Sequence, residues 1–197
     1  MRLAPLPILA RLIALPALLA LAGAPALSQP MGPVSPRVAE LEMGLFCAPP
    51  EGGRREAPGT LSGWVHIPDI PVEMIAHGTV APAVLGQGLG VRYRLADNLG
   101  ASMRYTVTHP PMPPSGATVQ TWTSAVAPGD GDTVFFQFDT REELQLGDWT
   151  FTAEADGEIL FSVLFTVVAP ADLPALAHLC DAPSLLSFRR TGLAAAG

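Results

Sequence analysis

The chain has 197 residues, 49% of them hydrophobic, with eleven arginines, no lysine and eighteen acidic residues, for a net charge of −7. That length fits one domain with a sizeable core. The acidic balance argues against non-specific nucleic-acid binding, which needs a basic footprint.

The N-terminus reads as a secretory signal. Met1-Arg2 and Arg11 supply positive charge, and Leu12 to Ala22 is an apolar run broken only by Pro16. Gly23-Ala24-Pro25-Ala26-Leu27-Ser28 then offers small residues at the positions a signal peptidase reads, with cleavage expected after Ser28. The apolar run is shorter than the roughly 20 residues that span a bilayer, so an anchor is the weaker reading, and no second segment of spanning length follows. The expected organisation is a signal peptide over 1–28, a β-domain over 37–181 and a loose tail over 182–197, Ser187-Phe188-Arg189-Arg190 included. Removal of the signal takes away two arginines and no acid, leaving a net charge of −9 and a periplasmic or secreted chain.

Both cysteines, Cys47 and Cys180, survive cleavage and sit near the two ends of the β-domain. In an oxidising compartment a disulfide is the default, and the chain-entropy model gives roughly 5 kcal/mol as the upper figure for a loop of this size. A reactive or metal-binding pair would be expected as CxxC, which is not the spacing here.

From Arg37 onward, period-two alternation broken by Pro and Gly clusters predicts antiparallel strands. Ala39, Leu41, Met43, Leu45 and Cys47 form the inward face of the first strand, with Glu40 and Glu42 outward. Glu51 to Gly59 reads as a polar loop. Leu61, Gly63, Val65 and Ile67 alternate with Ser62, Trp64 and His66, and a short edge strand is expected at Val72 to Ile75. Val91, Tyr93 and Leu95 alternate with Arg92 and Arg94, and after a turn at Asp97 to Gly100 the pattern resumes with Met103, Tyr105 and Val107. These two stretches predict a hairpin. Strands follow at Thr118 to Val126 and at Val134 to Phe138. The strongest local signal is Gly147 to Ala155, then Asp156-Gly157, then Glu158 to Val168, where Asp-Gly lies between two alternating runs. Helical turns are confined to Thr140 to Leu144 and Ala171 to Leu179. About eight strands with this patterning predict an all-β, immunoglobulin-like antiparallel sandwich, with a closed barrel as the alternative.

Several constellations carry candidate chemistry. Gly86-Gln87-Gly88-Leu89-Gly90 precedes a strand and has no helix N-terminus to hold an anion, so it reads as a turn or bulge. Asp130 and Asp132 resemble a fragment of a calcium loop without its closing Glu. His66, Asp69, Glu73 and His77 would suit zinc by residue type but match no single strand face. His109 and Met112 pair an imidazole with a thioether, a copper donor set, inside a proline-rich connector that also needs no ligand. Met74 and Met103 read as core fillers. Glu142-Glu143 reads as the solvated first turn of a capped helix. Folding the expected hairpin about its turn opposes Arg94 and Arg104, with Arg92 close by. Like charges so opposed are unfavourable unless acids such as Glu40 and Glu42 lie alongside or an acidic partner or anion binds there. No Gly-x-Ser-x-Gly elbow is present and the four histidines show no pairing, so no catalytic residues are assigned.

The segments Thr108-His109-Pro110-Pro111-Met112-Pro113-Pro114-Ser115-Gly116, Phe136-Gln137-Phe138-Asp139 and Gly147-Asp148-Trp149-Thr150-Phe151-Thr152-Ala153-Glu154 resemble a family of small secreted bacterial proteins known as a domain of unknown function. The resemblance runs from about Arg37 to Cys180 and implies no activity, ligand or catalytic residue. The Gly-x-Trp, Asp-Gly and Phe-Thr-Val pattern is similar to the terminal hairpin of bacterial immunoglobulin-like modules, which bears on fold rather than function. The expected function is an exported, non-enzymatic binding or interaction module without a cofactor, its partner another envelope protein. The alternative is a periplasmic copper or zinc protein using the His and Met loop residues, and a hydrolase would need a cleft with convergent His and acid groups.

Overall fold

The computed structural model describes residues 32–49, 52–96, 101–127 and 131–180. The signal segment, the tail over 182–197 and the turn at Asp97 to Gly100 lie outside the described residues. Eleven strands are found among those described: β1 Val38–Cys47, β2 Gly52–Glu56, β3 Trp64–Pro68, β4 Met74–His77, β5 Val80–Pro82, β6 Gln87–Leu95, β7 Ala101–Met112, β8 Ala117–Val126, β9 Gly131–Gln137, β10 Gly147–Ala155 and β11 Glu158–Val168. A four-stranded sheet in the order β4-β1-β6-β9 faces a five-stranded sheet in the order β5-β11-β10-β7-β8, and β2 and β3 pair alone as a ribbon. Every pairing is antiparallel except the short β5 against β11. The result is an immunoglobulin-like β-sandwich.

Period-two alternation builds the core. Val91, Tyr93 and Leu95 of β6 and Val134 and Phe136 of β9 meet Met103, Tyr105 and Val107 of β7, Trp149 and Phe151 of β10, and Phe161, Val163 and Phe165 of β11. Fully burying each large side chain contributes about 1.5–3 kcal/mol, so this set dominates the stability. The β10–β11 hairpin forms as expected, with Asp156 at φ 54° and Gly157 at φ 80°, the left-handed pair that a two-residue turn of this kind requires. A bulge near Glu154 drops one pairing on β11, turning Leu160 into the core and leaving Ile159 58% exposed. Ile159 therefore does not belong to the apolar face expected of it.

Four local expectations change. The predicted hairpin of β6 and β7 does not form, because β6 lies between β1 and β9 while β7 lies between β8 and β10 in the opposite sheet. Glu51 to Gly59 is not simply a loop, since Gly52–Glu56 pairs with β3 and the Arg54 guanidinium lies 3.8 Å above the Trp64 ring. The expected alternation around β3 does not hold, since Leu61 and Ile67 are exposed while Val65 is half-buried like Trp64 and His66. Gly88 and Gly90 are strand residues of β6, where a Cβ on Gly90 would stand 2.4 Å from the Phe135 Cα, and only Gly86, at φ 78°, makes the turn.

The disulfide Cys47–Cys180 is present, with the two Cα atoms 5.5 Å apart. It ties the end of β1 to the segment that follows the short helix α1, Pro174–Ala177, which is also held by the Gln87 amide donating to the Leu176 carbonyl at 2.8 Å. Among the described residues no helix is long and apolar enough to cross a membrane.

Candidate functional site

The β2–β3 ribbon bridges the open side of the sandwich between the β8 and β9 edges. On the β8 side the Arg55 guanidinium donates to the Thr123 carbonyl at 2.7 Å, the Leu61 N–H donates to Gln120 Oε1 at 2.9 Å, and the Thr121 N–H donates to the Gly59 carbonyl at 2.9 Å. On the β9 side His66 Nε2 lies 3.1 Å from Asp139 Oδ2, and Gln137 Nε2 donates to Asp139 Oδ1 at 2.5 Å. Under the ribbon lies a groove of about 190 Å³, walled by Trp64, Trp122, Tyr105 and Phe136 among others.

Three polar clusters border or floor this groove. At one end, Asp132 points inward from β9 and accepts the Tyr105 hydroxyl at 2.8 Å. That donation fixes the next step, so the Tyr93 hydroxyl donates to Tyr105 at 2.7 Å. Burial raises the Asp132 pKa, against hydrogen bonds from Tyr105 and the Thr133 backbone and the Arg55 charge. Burial raises both tyrosine pKa values too. At the other end are His66, Gln137 and Asp139, with the Gln137 carbonyl oxygen buried and lacking a hydrogen-bond partner among the described residues. Glu143, expected to be solvated, is buried, and its carboxylate accepts from the Asp139 and Thr140 backbone N–H groups at 2.6 and 2.9 Å. Burial raises its pKa.

The third cluster contains the expected copper donors, and the structure does bring His109 and Met112 together. They meet on one amide: Gln120 Nε2 is 3.3 Å from His109 Nε2 and 3.8 Å from Met112 Sδ. His109 Nδ1 donates to the Pro110 carbonyl at 2.8 Å, which makes Nε2 the acceptor of the Gln120 amide. The imidazole is 6% exposed, packs 5.0 Å from Trp149, and has its pKa lowered by burial. Both donor atoms that a metal would use are thus engaged with Gln120.

The arginine triplet does not assemble. Arg92 and Arg94 lie on β6 and Arg104 on β7, in different sheets. Glu40 stands opposite Arg94 and Glu42 opposite Arg92 in the β1–β6 register, with Arg94 donating to Glu40 at 2.6 Å and Arg92 4.0 Å from Glu42. Hydrogen bonding and charge from Arg94 lower the Glu40 pKa. Arg104 instead pairs in register with Glu154 and Thr123. The acids alongside offset the charge on β6. His66 bonds to Asp139, not to Asp69, Glu73 or His77, and among the described residues no three His, Cys, Asp or Glu side chains converge as a metal site. Asp130 lies outside the described residues, and Asp132 faces Tyr105.

Sheet order, the inter-sheet core and the bridging ribbon define an immunoglobulin-like sandwich with one bridged edge. A family model described as a domain of unknown function, DUF3859, matches residues 34–167, and the chain belongs to that family. Among solved structures it is similar to an immunoglobulin-like protein from Pseudomonas aeruginosa, at 19% identity and a TM-score of 0.47, covering 67% of this chain and 95% of that one. No curated protein matches the chain.

Proposed function

We propose that the protein is an exported, non-enzymatic binding module whose binding site is the groove under the β2–β3 ribbon. The observation that carries this reading is the bridged groove itself, a concave space in which aromatic walls meet convergent polar groups, a form suited to a small-molecule site. His109 is withheld from chemistry by its bonds to Gln120 and Pro110, and His66, paired with Asp139 at the groove, is the residue whose removal tests the non-enzymatic reading. The nearby hydroxyls of Thr60 and Ser62 donate to the backbone carbonyls of Ala57 and Trp64. Export rests on the signal-like N-terminus and agrees with the disulfide.

The test is chemical-shift mapping of the folded protein against a library of small fragments. Shifts at Trp64, Trp122 and Tyr105 are expected, and shifts confined to the outer faces of the two sheets would overturn the assignment. Turnover of an ester, peptide or glycoside that is lost in His66→Ala would overturn the non-enzymatic half. Expression of the full chain followed by fractionation and N-terminal sequencing tests export: a mature N-terminus near Gln29 supports it, and a cytoplasmic chain retaining residues 1–28 refutes it.

A further inference from the structure

The polar groups of the groove are unevenly matched. Asp132 brings a carboxylate, and the Gln137 carbonyl oxygen is buried with nothing donating to it. The principal cation at the wall, Arg55, donates a guanidinium nitrogen to the Thr123 carbonyl, and its charge also acts on Asp132. An ionised carboxylate has about four lone-pair positions. Tyr105 and the Thr133 backbone take two at Asp132. Asp132 therefore keeps lone-pair positions for a donor that an occupant supplies.

The walls favour a positive charge as well. Trp122 packs 5.8 Å from Tyr105 beside Asp132, and electron-rich ring faces attract cations. The chain makes this interaction itself among the described residues, with the Arg54 guanidinium 3.8 Å over Trp64. A buried carboxylate next to Tyr and Trp also weakens the fold at neutral pH, because burial disfavours its charged form. Arg55 offsets only part of this cost, since burial still dominates the shift, and a cationic ligand would offset more of it. At about 190 Å³ the space is smaller than the roughly 300–1,000 Å³ of drug-sized sites, which restricts the occupant to a single ring or a short chain.

We propose that the groove binds a small organic cation with N–H donors, an amine on a compact apolar body, its ammonium group against Asp132 and its body against Trp122. This rests on the groove being the binding site. The test is a calorimetric and fluorescence titration of the folded protein with phenethylammonium, its neutral counterpart 2-phenylethanol and the anion phenylacetate, repeated with Asp132→Asn. Asparagine keeps an oxygen for the Tyr105 hydroxyl, removes the charge and turns the second oxygen into an amide donor. The expected result is at least ten-fold tighter binding of phenethylammonium than of the alcohol, no detectable phenylacetate binding, and loss of the cation preference in Asp132→Asn. Equal binding of the alcohol and the ammonium, or an unchanged preference in the variant, overturns the cation assignment while leaving the groove as the site. Absence of a Trp64 or Trp122 response to all three probes overturns the groove itself. If Asp132→Asn does not fold, the order of the three probes on the wild-type chain decides the question.

Discussion

Two buried polar clusters, both reached through β7, show opposite solutions to the same problem. Around His109 every heteroatom is neutral and matched: the Gln120 amide reaches His109, Met112 and the Leu61 N–H, and the imidazole N–H has the Pro110 carbonyl. Around Tyr105 a carboxylate is kept in a desolvated position although a neutral acceptor would serve the two tyrosines equally well. Matched neutral networks fix a core, whereas a retained buried charge weakens the fold and so invites a functional explanation. The contrast separates the histidine the sequence offers as a metal ligand from the aspartate it offers as a calcium fragment.

The strongest way to break the first cluster is Gln120→Leu, which keeps the volume and leaves the Leu61 N–H and His109 Nε2 without partners. The buried imidazole nitrogen so orphaned costs about 1–3 kcal/mol, the Leu61 N–H on its exposed residue adds less, and chemical denaturation should show a loss in that range. The second test is pH. Burial lowers the His109 pKa below its ordinary 6.5, so the unfolded chain takes up this proton first. The His109 contribution to stability is full above about pH 6.5 and declines below it, and His109→Gln should flatten that part of the curve of Tm against pH.

Asp132→Asn should act with the opposite sign. Because the Asp132 pKa is raised in the folded state, its ionisation opposes folding as pH climbs above the ordinary value of about 3.8. The variant should therefore have a higher Tm than wild type at pH 7, and the gain should vanish toward pH 3.8; an equal or lower Tm at pH 7 would show that Asp132 belongs to a matched network after all. The smallest effect belongs to Arg94→Ala, whose pair with Glu40 is solvent-exposed, and no measurable change in Tm is expected.

Local patterning made the core legible and left the assembly hidden. Asp156-Gly157 between alternating runs identifies β10 and β11 because turn type and register are set by neighbouring residues. The same alternation in β6 and β7 is satisfied by either sheet, since both inner faces bury the same side-chain types, so adjacency in sequence suggested a hairpin where the chain changes sheets. Gly52–Glu56 carries no alternation at all, and its pairing with β3 accompanies the Arg54–Trp64 contact, which no period reveals. Cys47 and Cys180 were readable from compartment and count. The groove was not, because Trp64, Tyr105, Trp122 and Asp132 come from four strands and converge only when the ribbon bridges β8 and β9. The one cue was Asp132, whose parity with Val134 and Phe136 places an acid on an inward face.

The bond between Cys47 and Cys180 also turns most of the domain into a closed covalent ring, with the ribbon, the groove and all strands from β2 to β11 inside it. A protease that cuts one exposed loop in this ring opens the circle without releasing a fragment. The nicked chain keeps both pieces at high effective concentration, and reduction is needed before either can leave.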